Sequence, residues 1–171
     1  LDFSNETVSD PGKNLPTARY LLSATSSNSY GYFAGGGPSA VPTNFSTISR
    51  LDFSNETVSN PGKNLPTERY GLAGTSSNSY GYFGGGYDTP LTQISTITRL
   101  DFSSETVSDP GKNLPTIRTN SAATSSVSYG YFGGGLACLI SRLDFSSETV
   151  SDPGKNLPTR RNYLAAVSNS N

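Results

Sequence analysis

The chain has 171 residues, 12 Lys plus Arg against 13 Asp plus Glu, a net charge of -1, no histidine, no methionine, no tryptophan and one cysteine. The missing imidazole removes the commonest general base and metal ligand, and the balanced charge gives nucleic acid no basic surface to bind. The single Cys138 leaves no internal disulfide, and no apolar run approaches the roughly 18 residues of a membrane-spanning helix.

Variants of "LDFSNETVSDPGKNLPT" begin at Leu1, Leu51, Leu100 and Leu143, at intervals of 50, 49 and 43 residues. Residues 1–171 are therefore one repeat array, and its last repeat is truncated. Within each repeat "DPGKNLP", with Asn60 in place of the aspartate in the second, holds two prolines and a glycine, so it reads as a turn and not as strand interior. Asp10, Asp109 and Asp152 in this turn either cap their own backbone or offer oxygen ligands to a weak calcium ion. After the turn come an arginine and a run of small residues, then an aromatic run closed by glycines, then a serine-led run. In the second repeat the predicted strands are Arg69–Ser77, Ser79–Gly85, Ser95–Phe102 and Glu105–Gly111. The third repeat has "GGGLACLISR" where the second has "GGGYDTPLTQISTITR", a length change expected of a surface loop. "LACLI" reads as strand with Cys138 a small buried hydrophobe. Sequons stand at Asn5, Asn44 and Asn55. The last segment, Arg161–Asn171, reads as one small-residue strand, and two strands are expected before residue 18, for fifteen in all. No window carries a helical period.

Four short antiparallel strands per repeat of about 49 residues form one blade of a β-propeller. The order of features resembles the kelch family. An arginine follows the proline-ended loop (Arg19, Arg69, Arg118, Arg161), and a glycine doublet closes the aromatic strand (Gly35-Gly36, Gly84-Gly85, Gly133-Gly134). An Asp-aromatic pair then ends the serine-led strand (Asp52-Phe53, Asp101-Phe102, Asp144-Phe145). The tryptophan usual in the last strand is replaced by Val8, Val58, Val107 and Val150. The resemblance implies an all-β propeller, or part of one, in which the repeated arginine pairs with an acid inside or between blades. The repeated Glu6, Glu56, Glu105 and Glu148 are read as structural positions of the same repeat.

The charges follow the repeat. Lys13, Lys63, Lys112 and Lys155, the four arginines above, and Arg50, Arg99 and Arg142 leave only Arg160 outside it. Charge repeated so evenly reads as structural. A kelch-like copper oxidase would need imidazole, and a sialidase-type site would need a nonrepeating arginine cluster; neither set is present. The chain is also similar to uncharacterised YFGGG-repeat proteins of marine bacteria and their phages. The expected function is thus a noncatalytic structural or binding module of a virion or cell surface. It needs no cofactor, and its partner is a protein or a second copy of itself. The alternative is a carbohydrate-binding or carbohydrate-active propeller with a glycan partner, its decisive residues lying outside this chain. No nucleic acid or membrane insertion is expected. Near-ordinary sequence at both ends leads us to expect that the array completes a ring with further sequence or a second chain.

Overall fold

The computed structural model describes residues 4–5, 7–38 and 43–168. Strand and turn account for its regular structure, and no helix occurs among these residues. The first sheet is formed by β1 (Ser23–Ser26), β2 (Tyr30–Ala34), β3 (Ile48–Asp52) and β4 (Val58–Ser59). After β5 (Arg69–Tyr70) the second sheet takes β6 (Ala73–Ser76) and β7 (Tyr80–Gly84). It is interrupted by β8 (Tyr87–Asp88) and β9 (Thr92–Gln93), and completed by β10 (Ile97–Asp101) and β11 (Val107–Ser108). The third sheet contains β12 (Ser121–Ser125), β13 (Tyr129–Gly134), β14 (Ile140–Asp144) and β15 (Val150–Ser151). Each four-stranded sheet is an antiparallel meander in chain order.

The local chemistry of each meander is repeated. Ser27 N donates to Tyr30 O at 2.9 Å, and the Ser27 hydroxyl accepts from Tyr30 N at 3.1 Å, closing the first hairpin; Ser77 and Tyr80 do the same in the second sheet. In the "SDPG" turns, Asp10, Asp109 and Asp152 each accept from the amide of the glycine two residues on, at 2.8 Å. Asn60 does so at 3.0 Å, so a neutral side chain serves equally and the turn is held by an Asx hydrogen bond, not by the charge.

The core lies between sheets. Tyr32, Ala34, Ile48 and Leu65 of the first sheet and its following loop pack on Leu72, Phe83 and Leu100 of the second. Ala73, Tyr82, Ile97 and Leu114 pack in turn on Phe132 and Leu143 of the third. The inner strands β1, β6 and β12 adjoin: the Thr25 hydroxyl donates to Thr75 O at 3.0 Å, and Thr75 to Thr124 O at 3.0 Å. Thr124 then donates to Val167 O at 2.8 Å, continuing the series into the fourth repeat.

Several expectations need correction. The insertion of the second repeat lies at the surface as expected, with residues 89–92 exposed, but it is not strandless, because β8 and β9 pair with β5 in a small sheet, with Tyr87 stacked on Tyr70 at 5.0 Å between ring centroids. Residues 7–18 and 161–168 contain no named strand, and the rest of the two expected terminal segments, residues 1–3, 6 and 169–171, lies outside the described residues; the fifteen strands among the described residues comprise three sheets of four plus this sheet of three. Residues 161–168 lie against the third repeat, since Tyr163 N donates to Asn120 O at 2.9 Å, and no strand among the described residues flanks them on the other side. Cys138 stands in a bend, half-buried, ahead of the strand that begins at Ile140. Asn44 is buried with its amide toward Thr89, which makes it a poor glycan acceptor, whereas Asn55 is exposed.

Candidate functional site: the junctions between sheets

The three-glycine runs carry the first junction contact. Gly35, Gly85 and Gly134 have φ of 68°, 68° and 77°, and Gly36, Gly86 and Gly135 follow at 86°, 104° and 82°. The doublet expected at Gly84-Gly85 and Gly133-Gly134 is therefore displaced by one residue; Gly84 and Gly133 are strand residues equivalent to Ala34. Gly36, Gly86 and Gly135 donate their amides to the carbonyls of Arg69, Arg118 and Arg161 in the next repeat, at 2.8, 2.7 and 2.8 Å. A Cβ on Gly35 or Gly85 would collide with those same carbonyls. Glycine is required here by close backbone approach as well as by its left-handed φ.

The arginines that follow the proline loop fill the base of each sheet. Arg118 donates to Phe132 O at 2.8 Å, to Leu139 O at 2.7 Å and to the Ser141 hydroxyl at 2.8 Å. Arg69 reaches Thr96 O at 3.3 Å and Gly85 O at 3.5 Å, with a short contact to Thr98 Oγ1; Arg19 bonds Thr47 O, Gly35 O and Ser49 likewise. Arg69 and Arg118 are only 1% and 2% exposed. Burial pushes the Arg69 guanidinium down to about 10, which still leaves it cationic at neutral pH, and lowers Arg118 and Arg19 as well. No acid makes a direct ion pair with these arginines among the described residues, although the charges of Asp109 and Asp88 act on Arg69 and that of Asp152 acts on Arg118; the direct ion pairs are Arg50–Glu105 at 2.8 Å and Arg99–Glu148 at 2.9 Å. Carbonyl oxygens do for the buried arginine what a carboxylate was expected to do. Arg161 is exposed.

The glutamates belong to a second latch, on the outer part of the junction. Glu105 in the second sheet accepts from Arg50 of the first and from the Tyr32 hydroxyl at 3.1 Å; Glu148 of the third sheet accepts from Arg99 and Tyr82 of the second in the same way. Phe102 stacks on Tyr32 at 5.4 Å and Phe145 on Tyr82 at 5.5 Å. Arg50 and Arg99 also lie over Tyr30 and Tyr80, 4.7 and 4.8 Å from the ring centroids. Burial, followed by the glutamate charge, pushes the Tyr32 and Tyr82 hydroxyls up, keeping them as donors. The hydrogen bond each donates to Glu105 or Glu148 raises Arg50 and Arg99. Glu56, Glu105 and Glu148 all have left-handed φ, 56°, 53° and 54°. Such a backbone favours Gly or Asn, and from it the side chains of Glu105 and Glu148 reach across a junction. Glu6 lies outside the described residues.

Along one edge of the sheets, the hairpin turns line shallow polar clefts. One, of about 250 Å³, collects Ser26, Asn28, Ser76, Asn78, Ser125 and Ser168. Two equivalent grooves of about 440 Å³ each run between neighbouring sheets, one past Tyr30, Asn78, Tyr80, Asp101 and Phe102, the other past Tyr80, Tyr129, Asp144 and Phe145. No cluster of three or more Cys, Asp or Glu suited to a metal ion occurs among the described residues. No helix of the described residues is long and apolar enough to cross a membrane. In comparison with known proteins, no family model and no curated protein matches the chain.

Proposed function

We propose that the protein is a noncatalytic assembly module, built as a kelch-like β-propeller or an arc of one. The observation that carries this reading is that the repeated charged residues serve the junctions: Arg69 and Arg118 are buried on carbonyls, and Arg50, Arg99, Glu105 and Glu148 bind one sheet to the next. The side-by-side inner strands, joined from Thr25 through Thr75 to Thr124, support a fan of blades around an axis. The sequence resemblance to repeat proteins of marine bacteria and phages favours a virion or cell-surface setting, with a protein partner.

A second reading, a carbohydrate-binding module, is favoured by the two equivalent grooves, where tyrosine and phenylalanine rings stand beside Asn78 and an aspartate. Aromatic faces with a few polar groups suit a sugar ring. Screening the purified protein on a glycan array and against glycoside and ester reporter substrates tests both. The assembly reading expects neither retention nor turnover. Saturable retention lost in Asn78→Ala would favour the glycan module, and reproducible turnover would contradict both.

A further inference from the structure

We infer that the two outer faces of the array are complementary, so that the third sheet of one copy takes the first sheet of a second copy, head to tail. The inference rests on the assembly reading and names its partner and contact residues.

The two internal junctions define what a filled junction looks like. At each, the second tyrosine of "YGYF" on one side and the phenylalanine of the other side are buried: Tyr32 with Phe83, then Tyr82 with Phe132. The outer faces each keep half of this set. On the first sheet Phe33 is only half-buried, Phe53 is 48% exposed where Phe102 and Phe145 stack on tyrosines, and Glu56 is exposed where Glu105 and Glu148 are paired. On the third sheet Tyr131 is half-buried and Arg142 lies over Tyr129 at 4.7 Å, as Arg50 and Arg99 lie over their tyrosines, with no ion pair among the described residues. A Cβ on Gly84 would meet Phe132 at 2.7 Å, but one on Gly133 would meet only Ile140 at 3.7 Å. Beside Gly133 lies an apolar cleft of about 280 Å³, lined by Tyr131, Ile140, Leu157 and Leu164.

The missing halves match. Phe33 of a second copy would enter the cleft at Gly133, Phe53 would stack on Tyr131, and Glu56 would accept from Arg142 and the Tyr131 hydroxyl. Glu56 already holds the left-handed φ of its paired equivalents. Two segments must give way. Residues 161–168, mostly exposed, occupy the place of the incoming Arg19–Ser26, and residues 7–18 of the second copy, also mostly exposed and without strand, must leave the junction. The exchange swaps equivalent backbone contacts: Gly135 N and Thr124 Oγ1, now bonded to Arg161 O and Val167 O, would find Arg19 O and Thr25 O of the second copy. What is gained is the aromatic contact and the ion pair.

Sedimentation of the full chain over a range of concentrations tests this. Wild type should rise above its 18.0 kDa monomer mass with concentration. Arg142→Glu and Glu56→Arg, which place like charges at the junction, should each raise the concentration for half-association at least tenfold while leaving the thermal melt near wild type. An equimolar mixture of the two variants should regain association, because each supplies the charge the other lacks. A wild-type protein that stays monomeric, single variants that associate as wild type does, or a mixture that fails to recover would overturn the inference. Such a failure beside a silent glycan and substrate screen would leave the noncatalytic reading intact.

Discussion

Arg69 sets the residue-scale energetics, because its guanidinium satisfies two carbonyls and a hydroxyl where water does not reach. Truncation would strip this donor from Gly85 O and Thr98 Oγ1, each unpaired buried acceptor costing about 1–3 kcal/mol, while Thr96 O keeps the Gly85 amide. Arg69→Ala should therefore destabilise the protein by about 3 kcal/mol or more in a urea melt, whereas Lys63→Ala, on a half-exposed turn, should change it by less than about 0.5 kcal/mol. Similar losses at the two positions would show that the arginine is a solvated charge. Its structural role was legible in the sequence from its place in every repeat. Its partners were not: a repeat pattern shows which charges recur together but not which side of a junction each one faces, and so Glu105 serves Arg50 and not Arg69.

At the scale of elements, the turns and strands were legible because their chemistry is local. Proline and glycine marked "DPGKNLP", and Ser-Ser-Asn marked the hairpins. The glycine register was not, since three successive glycines offer two equivalent doublets and only the contact with the next repeat's arginine carbonyl distinguishes them. That distinction is testable. Gly62 has φ of 74° with nothing near its missing Cβ, so Gly62→Ala should cost about 1 kcal/mol, the strain of a left-handed residue alone. Gly85→Ala adds a collision with Arg118 O and should cost several-fold more, about 3 kcal/mol, by the same melt; equal costs would remove the close approach from the account. The inner-strand threonines make a milder case. Thr75→Val keeps the β-branched shape and deletes the bond to Thr124 O, an expected loss of about 1 kcal/mol, and an unchanged melt would mean that the hydroxyl series does not bind the sheets. The small sheet of β5, β8 and β9 escaped the sequence because two-residue strands carry no alternation to read.

For the molecule as a whole, the sheets are joined in series, each by a buried arginine base, a glycine approach and an outer latch. Stability should then depend on junctions between neighbours, as in other repeat arrays. The repeat spacing made a recurring four-stranded unit readable in advance, though not the small fourth sheet. It left open whether the charged latch closes within one sheet or across two, because Arg142 and Glu148 are as near in sequence as Arg99 and Glu148 are distant. In the structure the latch crosses, and the side chains of Arg99 and Glu148 are 29% and 21% exposed, so the pair is partly shielded from water. A double-mutant cycle on Arg99 and Glu148, read by chemical unfolding, measures this most directly. A coupling of about 1 kcal/mol is predicted for that pair, with additivity for Arg142 and Glu148; additivity at Arg99 and Glu148 with coupling at Arg142 and Glu148 would contradict a latch between sheets.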